Sequence, residues 1–131
     1  MAVAIVRLGT TRRPDEGLRI GTVRRPPRGV PKTDFAKRDF YDVWYPNLAP
    51  SVPAMKQAQA AQKAQDAAGW AAFVRKYRAE MATPENARTL DLLAALSHQA
   101  NFAVGCYCED EAHCHRSVLR TLLAKRGAVI A

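Results

Sequence analysis

Apolar positions along this chain follow two different periods. Ala2 to Leu8 is an apolar run rich in β-branched residues, and Gly9, Thr10, Pro14 and Gly17 follow it, the signature of a strand entering a loop. Leu18 to Val23 predicts a second strand with Leu18 and Ile20 on one face. The next stretch, Arg24-Arg25-Pro26-Pro27-Arg28-Gly29-Val30-Pro31, cannot join a ladder, because its prolines lack donors and hold the backbone extended. It reads as a stiff basic loop leaving the end of a strand. Phe40 to Leu48, with Tyr41, Val43, Trp44 and Tyr45, predicts a short extended segment packed on the core and ended by Pro46, Pro50 and Pro53.

The period then changes to that of helices. Ala54 to Ala68 is almost entirely Ala, Gln and Lys, which predicts a helix exposed on most sides, with Met55 its one bulky apolar residue. Trp70, Phe73, Val74, Tyr77 and Met81 place one apolar stripe on the next helix, opposite Arg75, Lys76 and Arg78. Thr83-Pro84 offers a cap and a first-turn proline for a third helix, whose buried face would be Ala87, Leu90, Leu93, Ala94 and Leu96, closed by Ser97 to Asn101. Phe102 to Cys108 is apolar on both alternating faces and predicts a central strand. A final helix is expected from Cys114 or Arg116 to near Gly127, with a further strand at Ala128 to Ala131.

The strands and helices read along the chain fit one compact α/β unit, a single domain over residues 1–131. A chain of 131 residues with 48% hydrophobic positions can bury a core of its own. Met1 to Leu8 is short and interrupted by Arg7, unlike a secretory signal, and no run is long enough to span a bilayer. The expectation is a cytosolic protein with no membrane partner. Three cysteines in a chain of ordinary composition argue against a disulfide framework and for reduced thiols.

The net charge of +8 is unevenly spread, since residues 1–40 hold ten Lys or Arg against four Asp or Glu. Arg12, Arg13, Arg19, Arg24, Arg25, Arg28, Lys32, Lys37 and Arg38 make this third a candidate surface for phosphate, as a polymer or as a small anion.

Candidate chemistry concentrates between Phe102 and Leu123, which contains all three cysteines and two of the three histidines. Strand alternation turns Cys106 and Cys108 the same way, and the buried stripe of the last helix (Val118, Leu119, Leu122, Leu123) places Cys114 and His115 beside it. Arg116 would share a more open face with Arg120. Four readings compete. In one, Cys106 and Cys108 are small core hydrophobes and His115 is a satisfied buried imidazole. In another, Cys106, Cys108, Cys114, His115 and Arg116 line an anion-binding or catalytic pocket that Arg25 or Arg28 enters from the basic loop, with Cys114 activated at a helix N-terminus. A third is a zinc site of Cys106, Cys108, Cys114 and His115, against which stand the adjacent Cys-His ligands and the C-x-C pair in place of the usual C-x-x-C. The fourth comes from His113-Cys114 followed five residues later by Arg120-Thr121, the string of cysteine-dependent phosphatases; here the intervening residues carry a helical leucine pattern and no glycine.

Cys106-Tyr107-Cys108-Glu109-Asp110 and Cys114-His115-Arg116-Ser117-Val118-Leu119 together resemble the hallmark of the domain of unknown function 488 family, also called YeaO-like. The basic segment Ile20 to Gly29, Asp42-Val43-Trp44, Leu48-Ala49-Pro50-Ser51, and Trp70, Phe73 and Tyr77 resemble further stretches of that family, so the likeness runs from Ala2 to Gly127. It implies a small α/β sandwich with a mainly parallel sheet and names no substrate or cofactor.

The preferred reading is a pocket for a phosphate-bearing ligand, a nucleotide or a nucleic-acid end. Arg25, Arg28 and Arg116 would bind anionic oxygens, with Cys106 beside them. Asp42 would orient an arginine or accept a proton, and Cys108 or Cys114 with His115 would be the reactive pair. The alternative is a non-enzymatic module that binds nucleic acid through the basic N-terminal surface.

Overall fold

The computed structural model describes residues 1–131. Four strands form one sheet: β1 (Val3–Arg7), β2 (Leu18–Gly21), β3 (Val43–Trp44) and β4 (Phe102–Cys106). Their order is β1-β4-β2-β3 and every pair is parallel. The expected α/β fold with a parallel sheet is therefore observed. β4 is central, as its two-sided apolar sequence requires. The expected terminal strand contracts to one parallel bridge between Ile130 and Val3.

All four helices contribute to the packing on one face of this sheet: α1 (Val52–Ala64), α2 (Ala67–Met81), α3 (Pro84–Leu96) and α4 (His115–Lys125). Phe73, Tyr77 and Met81 of α2, Leu90 and Leu93 of α3, and Val118, Leu119 and Leu123 of α4 meet Val3, Phe102 and Val104 in one core. Each buried side chain of this size contributes about 1.5–3 kcal/mol. Leu96 stays partly exposed. Thr83 does not cap α3 with its side chain; its hydroxyl donates back to the Glu80 carbonyl at 3.1 Å.

The other face is covered by loops, and its residues are accordingly small. In register, Ala4 stands beside Ala103, and Gly105 beside Gly21. A Cβ on Gly21 would lie 2.5 Å from the Tyr41 ring, and one on Gly105 would lie 2.7 Å from both Leu8 and the Val6 carbonyl. Glycine is thus the condition for the close approach of these loops. The one large residue pointing into this layer is Arg19, 1% exposed. It pairs with Glu16 at 2.8 Å and donates to the carbonyls of Thr10 at 2.8 Å and Asp39 at 2.5 Å. Arg19 therefore fastens loops to the sheet and does not belong to a phosphate-attracting surface.

Two sequence expectations change here. The helix predicted over Ala54 to Ala68 ends earlier, because Gln65 adopts φ 51°, and α2 restarts after Asp66, so α1 and α2 form a hairpin. The segment Phe40 to Leu48 is extended only at Val43–Trp44, both exposed on the sheet edge, and then turns through a 3-10 helix at Pro46–Leu48.

Candidate functional site

In a parallel sheet the loops leaving the strand carboxyl ends all open on one edge, where ligands collect. There the chain encloses a cleft of about 960 Å³. Its floor is the end of β4 and the start of α4: Cys106, Tyr107, Cys108 and His115. One wall is the basic loop from Val23 to Arg28 with Phe40, and the facing wall is the first half of α1, through Val52, Met55, Lys56 and Gln59.

Both walls are tied down. The Arg24 guanidinium donates to the carbonyls of Ala49 and Pro50 at 3.1 Å, which joins the basic loop to the entry of α1. Tyr107 donates its hydroxyl to the Arg25 carbonyl at 2.9 Å, joining that loop to the floor. Ser51 accepts from the Ala54 amide as N-cap of α1 and bonds in turn to the Glu80 carboxylate of α2. The prolines remove backbone freedom, so Arg25 and Arg28 project into solvent from a constrained frame.

Beneath the floor lies a compact thiol–imidazole cluster. Cys106 Sγ and Cys108 Sγ are 3.7 Å apart, and Cys114 Sγ is 3.8 Å from His115 Nδ1. The candidate donor atoms of Cys106, Cys114 and His115 all lie within 4.8 Å of one another. His115 Nε2 is 2.8 Å from the Thr22 carbonyl oxygen, which can only accept, so Nε2 carries the hydrogen. That leaves Nδ1 turned toward sulfur. The Tyr77 ring meets the imidazole edge-on at 5.5 Å and holds its plane.

The three thiols are not equivalent. Contact with the Cys106 and Cys108 thiols, and then with His115, holds Cys114 well below the usual thiol range. Cys106 is pushed far up by its own hydrogen bond to Cys108, by Cys114 and by burial. For Cys108, the Cys106 hydrogen bond favours the thiolate, but Cys114 and burial outweigh it and the net shift is upward. The downward shift in this cluster thus falls on Cys114, while Cys108 is the half-buried thiol that faces the cleft.

Of the residues singled out in the sequence, Cys106, Cys108, His115, Arg25 and Arg28 line this cleft, and Cys114 lies directly under them. Cys106 packs with Leu8, Val23, Tyr41 and Cys114 in a small apolar cluster, as the packing interpretation expects of Cys106, whereas Cys108 is only partly buried against it. Arg116 does not reach the cleft. It is 3% exposed rather than on an open face, and its Nη2 donates to the Cys108 carbonyl at 2.6 Å, bracing the floor from below. Asp42 is also elsewhere: its carboxylate takes Arg12 at 2.6 and 3.0 Å and the Arg19 amide at 2.8 Å, below the strand ends. The arginine it orients is therefore Arg12, which this pairing removes from any phosphate-binding role. The phosphatase string fails on conformation, because residues 115–119 form the first turns of α4 and Arg120 is held by Glu111 at 2.7 and 2.8 Å.

Sequence reading missed the α1 wall. Lys56 and Met55 lie in a stretch whose Ala and Gln content predicts exposure, and the tie from Arg24 to the entry of α1 sets them opposite the basic loop. It also missed a second cleft of about 770 Å³, which contains Asp66, Trp70, Glu109, Asp110 and His113 and shares only Cys108 with the first. Glu109 and Asp110 therefore lie in this second cleft and not beside Arg25 and Arg28. His113 Nδ1 is 2.6 Å from Asp110 there, and its ring meets Trp70 edge-on.

No helix of the chain is long and apolar enough to cross a membrane. The family model described as the active DUF488-N3 subclade matches residues 3–127. No curated protein and no solved structure matches the chain.

Proposed function

The chain belongs to the DUF488 family, in its active DUF488-N3 subclade, and we propose that it binds a phosphate-bearing ligand, a nucleotide or a nucleic-acid end, in the cleft between the basic loop and α1. One observation carries this reading: Arg24, Arg25, Arg28 and Lys56 line the cleft and no carboxylate does. Arg25 and Arg28 engage anionic oxygens as planar donors. Phe40, Met55, Pro26 and Pro27 offer the apolar surface that the rest of a nucleotide needs. Cys108 is the thiol that such a ligand meets, with Cys114 and His115 immediately beneath.

Isothermal titration with AMP, inorganic phosphate and a short 5′-phosphorylated oligonucleotide tests the reading. The expected result is saturable binding of at least one of them, weakened at least about tenfold in Arg25→Ala/Arg28→Ala. Failure of all three to bind, or equal binding by the double variant, overturns it.

Exposed Arg13, Lys32, Lys37 and Arg38 on the neighbouring loops favour a second reading, a sequence-independent nucleic-acid surface. It predicts affinity for a strand without terminal phosphate that falls steeply with salt and is indifferent to Cys108→Ser and His115→Gln.

A further inference from the structure

We propose that Cys106, Cys114 and His115, completed by Cys108, form a binding site for a thiophilic divalent cation, with zinc the fitting ion. The inference stands on donor geometry and is independent of the phosphate reading. A tetrahedral ion held at about 2.3 Å by sulfur and about 2.0 Å by nitrogen sets its ligand atoms about 3.5–3.8 Å apart. The Cys106–Cys108 sulfur pair at 3.7 Å and the Cys114–His115 pair at 3.8 Å already have that spacing. The widest separation in the Cys106, Cys114 and His115 trio, within 4.8 Å, needs a contraction of about 1 Å, a small side-chain movement.

Two features beyond spacing support the assignment. A metal-binding imidazole characteristically donates its second N–H to a carbonyl, which fixes ring and tautomer. His115 does this through Nε2 to Thr22, leaving Nδ1 for a ligand. The donor set of sulfur and imidazole without a carboxylate selects zinc-like ions over magnesium or calcium.

The sequence objection to adjacent Cys and His ligands, that they strain tetrahedral closure, is answered by the backbone. Cys114 is extended at φ −127°, ψ 152°, whereas His115 opens a helix, so the conformational break between them lets both side chains reach one point. On binding, each ligand cysteine that still carries its proton releases it to solvent as its bond to the metal forms, and one already ionised binds directly. Cys108 is the ligand at the cleft side and the one that solvent replaces most easily.

The test uses the full chain, reduced and stripped with a chelator. All cysteines of the protein are in the cluster, so thiol counting is clean. Titration with cobalt(II) should saturate at one equivalent, with tetrahedral visible bands and thiolate charge-transfer absorption. Zinc should displace the cobalt and protect the three thiols from a disulfide reagent until chelator is added. Cys114→Ser should weaken uptake at least about 100-fold, whereas Cys108→Ser should keep one cobalt with an altered spectrum and a loss nearer tenfold. The proposal is overturned if the wild-type chain, folded by circular dichroism, takes up no cobalt at micromolar concentrations, or if uptake survives in both Cys106→Ser and Cys114→Ser. AMP titration of the metal-free samples separates the two ideas: binding of AMP without metal uptake removes this site and leaves the anion cleft standing, and the reverse removes the cleft alone.

Discussion

The imidazole of His115 and the main-chain carbonyl of Thr22 are joined at 2.8 Å across 93 positions of sequence. This bond connects the start of α4 to the end of β2, so it braces the floor of the cleft against its basic wall alongside the Tyr107–Arg25 bond. His115→Ala would strip that carbonyl of its imidazole partner and leave a void against Tyr77. A loss of roughly 2–4 kcal/mol in urea unfolding, with an unchanged m-value, is expected.

Arg19 and Glu16 form the protein's most deeply buried ion pair, with side chains 1% and 3% exposed. Arg19→Met would leave the Glu16 carboxylate alone in a dry layer, together with the carbonyls of Thr10 and Asp39. The expected cost is about 3–5 kcal/mol. Glu16→Met/Arg19→Met should recover part of it, which calorimetric midpoints of the single and double variants would show.

Asp42 gives a pH signature. Burial raises its carboxyl, but hydrogen bonds from Arg12 and the Arg19 amide outweigh this and hold it below the usual aspartate range. A depressed folded value contributes stability that is complete above the unfolded value of about 3.9 and disappears as pH falls through the folded one. Asp42→Asn should therefore cost roughly 1–2 kcal/mol at pH 7. That difference should shrink below pH ~4, as denaturant titrations at both ends of the range would reveal.

Tyr107 connects function to loop order. Its hydroxyl bond to the Arg25 carbonyl orients the basic wall without burying much surface. Tyr107→Phe should leave stability within about 1 kcal/mol of wild type while weakening AMP binding roughly threefold to tenfold, because a freer loop must be ordered by the ligand. An unchanged affinity would mean that the prolines alone position Arg25.

Much of this protein is local and was therefore readable along the chain. The β-branched run at Val3–Arg7, the two-sided apolar β4 and the stripes of α2 and α4 each declare their period over a few residues, and period determines both element type and buried face. The proximity of Cys106, Cys108, Cys114 and His115 was equally legible, since a strand end and the next helix start lie only a short loop apart.

Tertiary structure decided the rest, because charges and polar groups are assigned by partners distant in sequence. Glu16 is a near neighbour of Arg19 in sequence, but the carbonyls of Thr10 and Asp39 that complete its burial come from farther along the chain, whereas Arg25 stays free at the cleft. Arg116 appears open by helical counting, yet it is buried because the Cys108 carbonyl folds back over it. Lys56 and Met55 form a wall because Arg24 holds the carbonyls of Ala49 and Pro50, far along the chain, at the entry of α1. Periodicity specifies which side of an element is apolar; which cation remains available for a ligand is settled by the competition among buried acceptors, and that competition exists only in the folded chain.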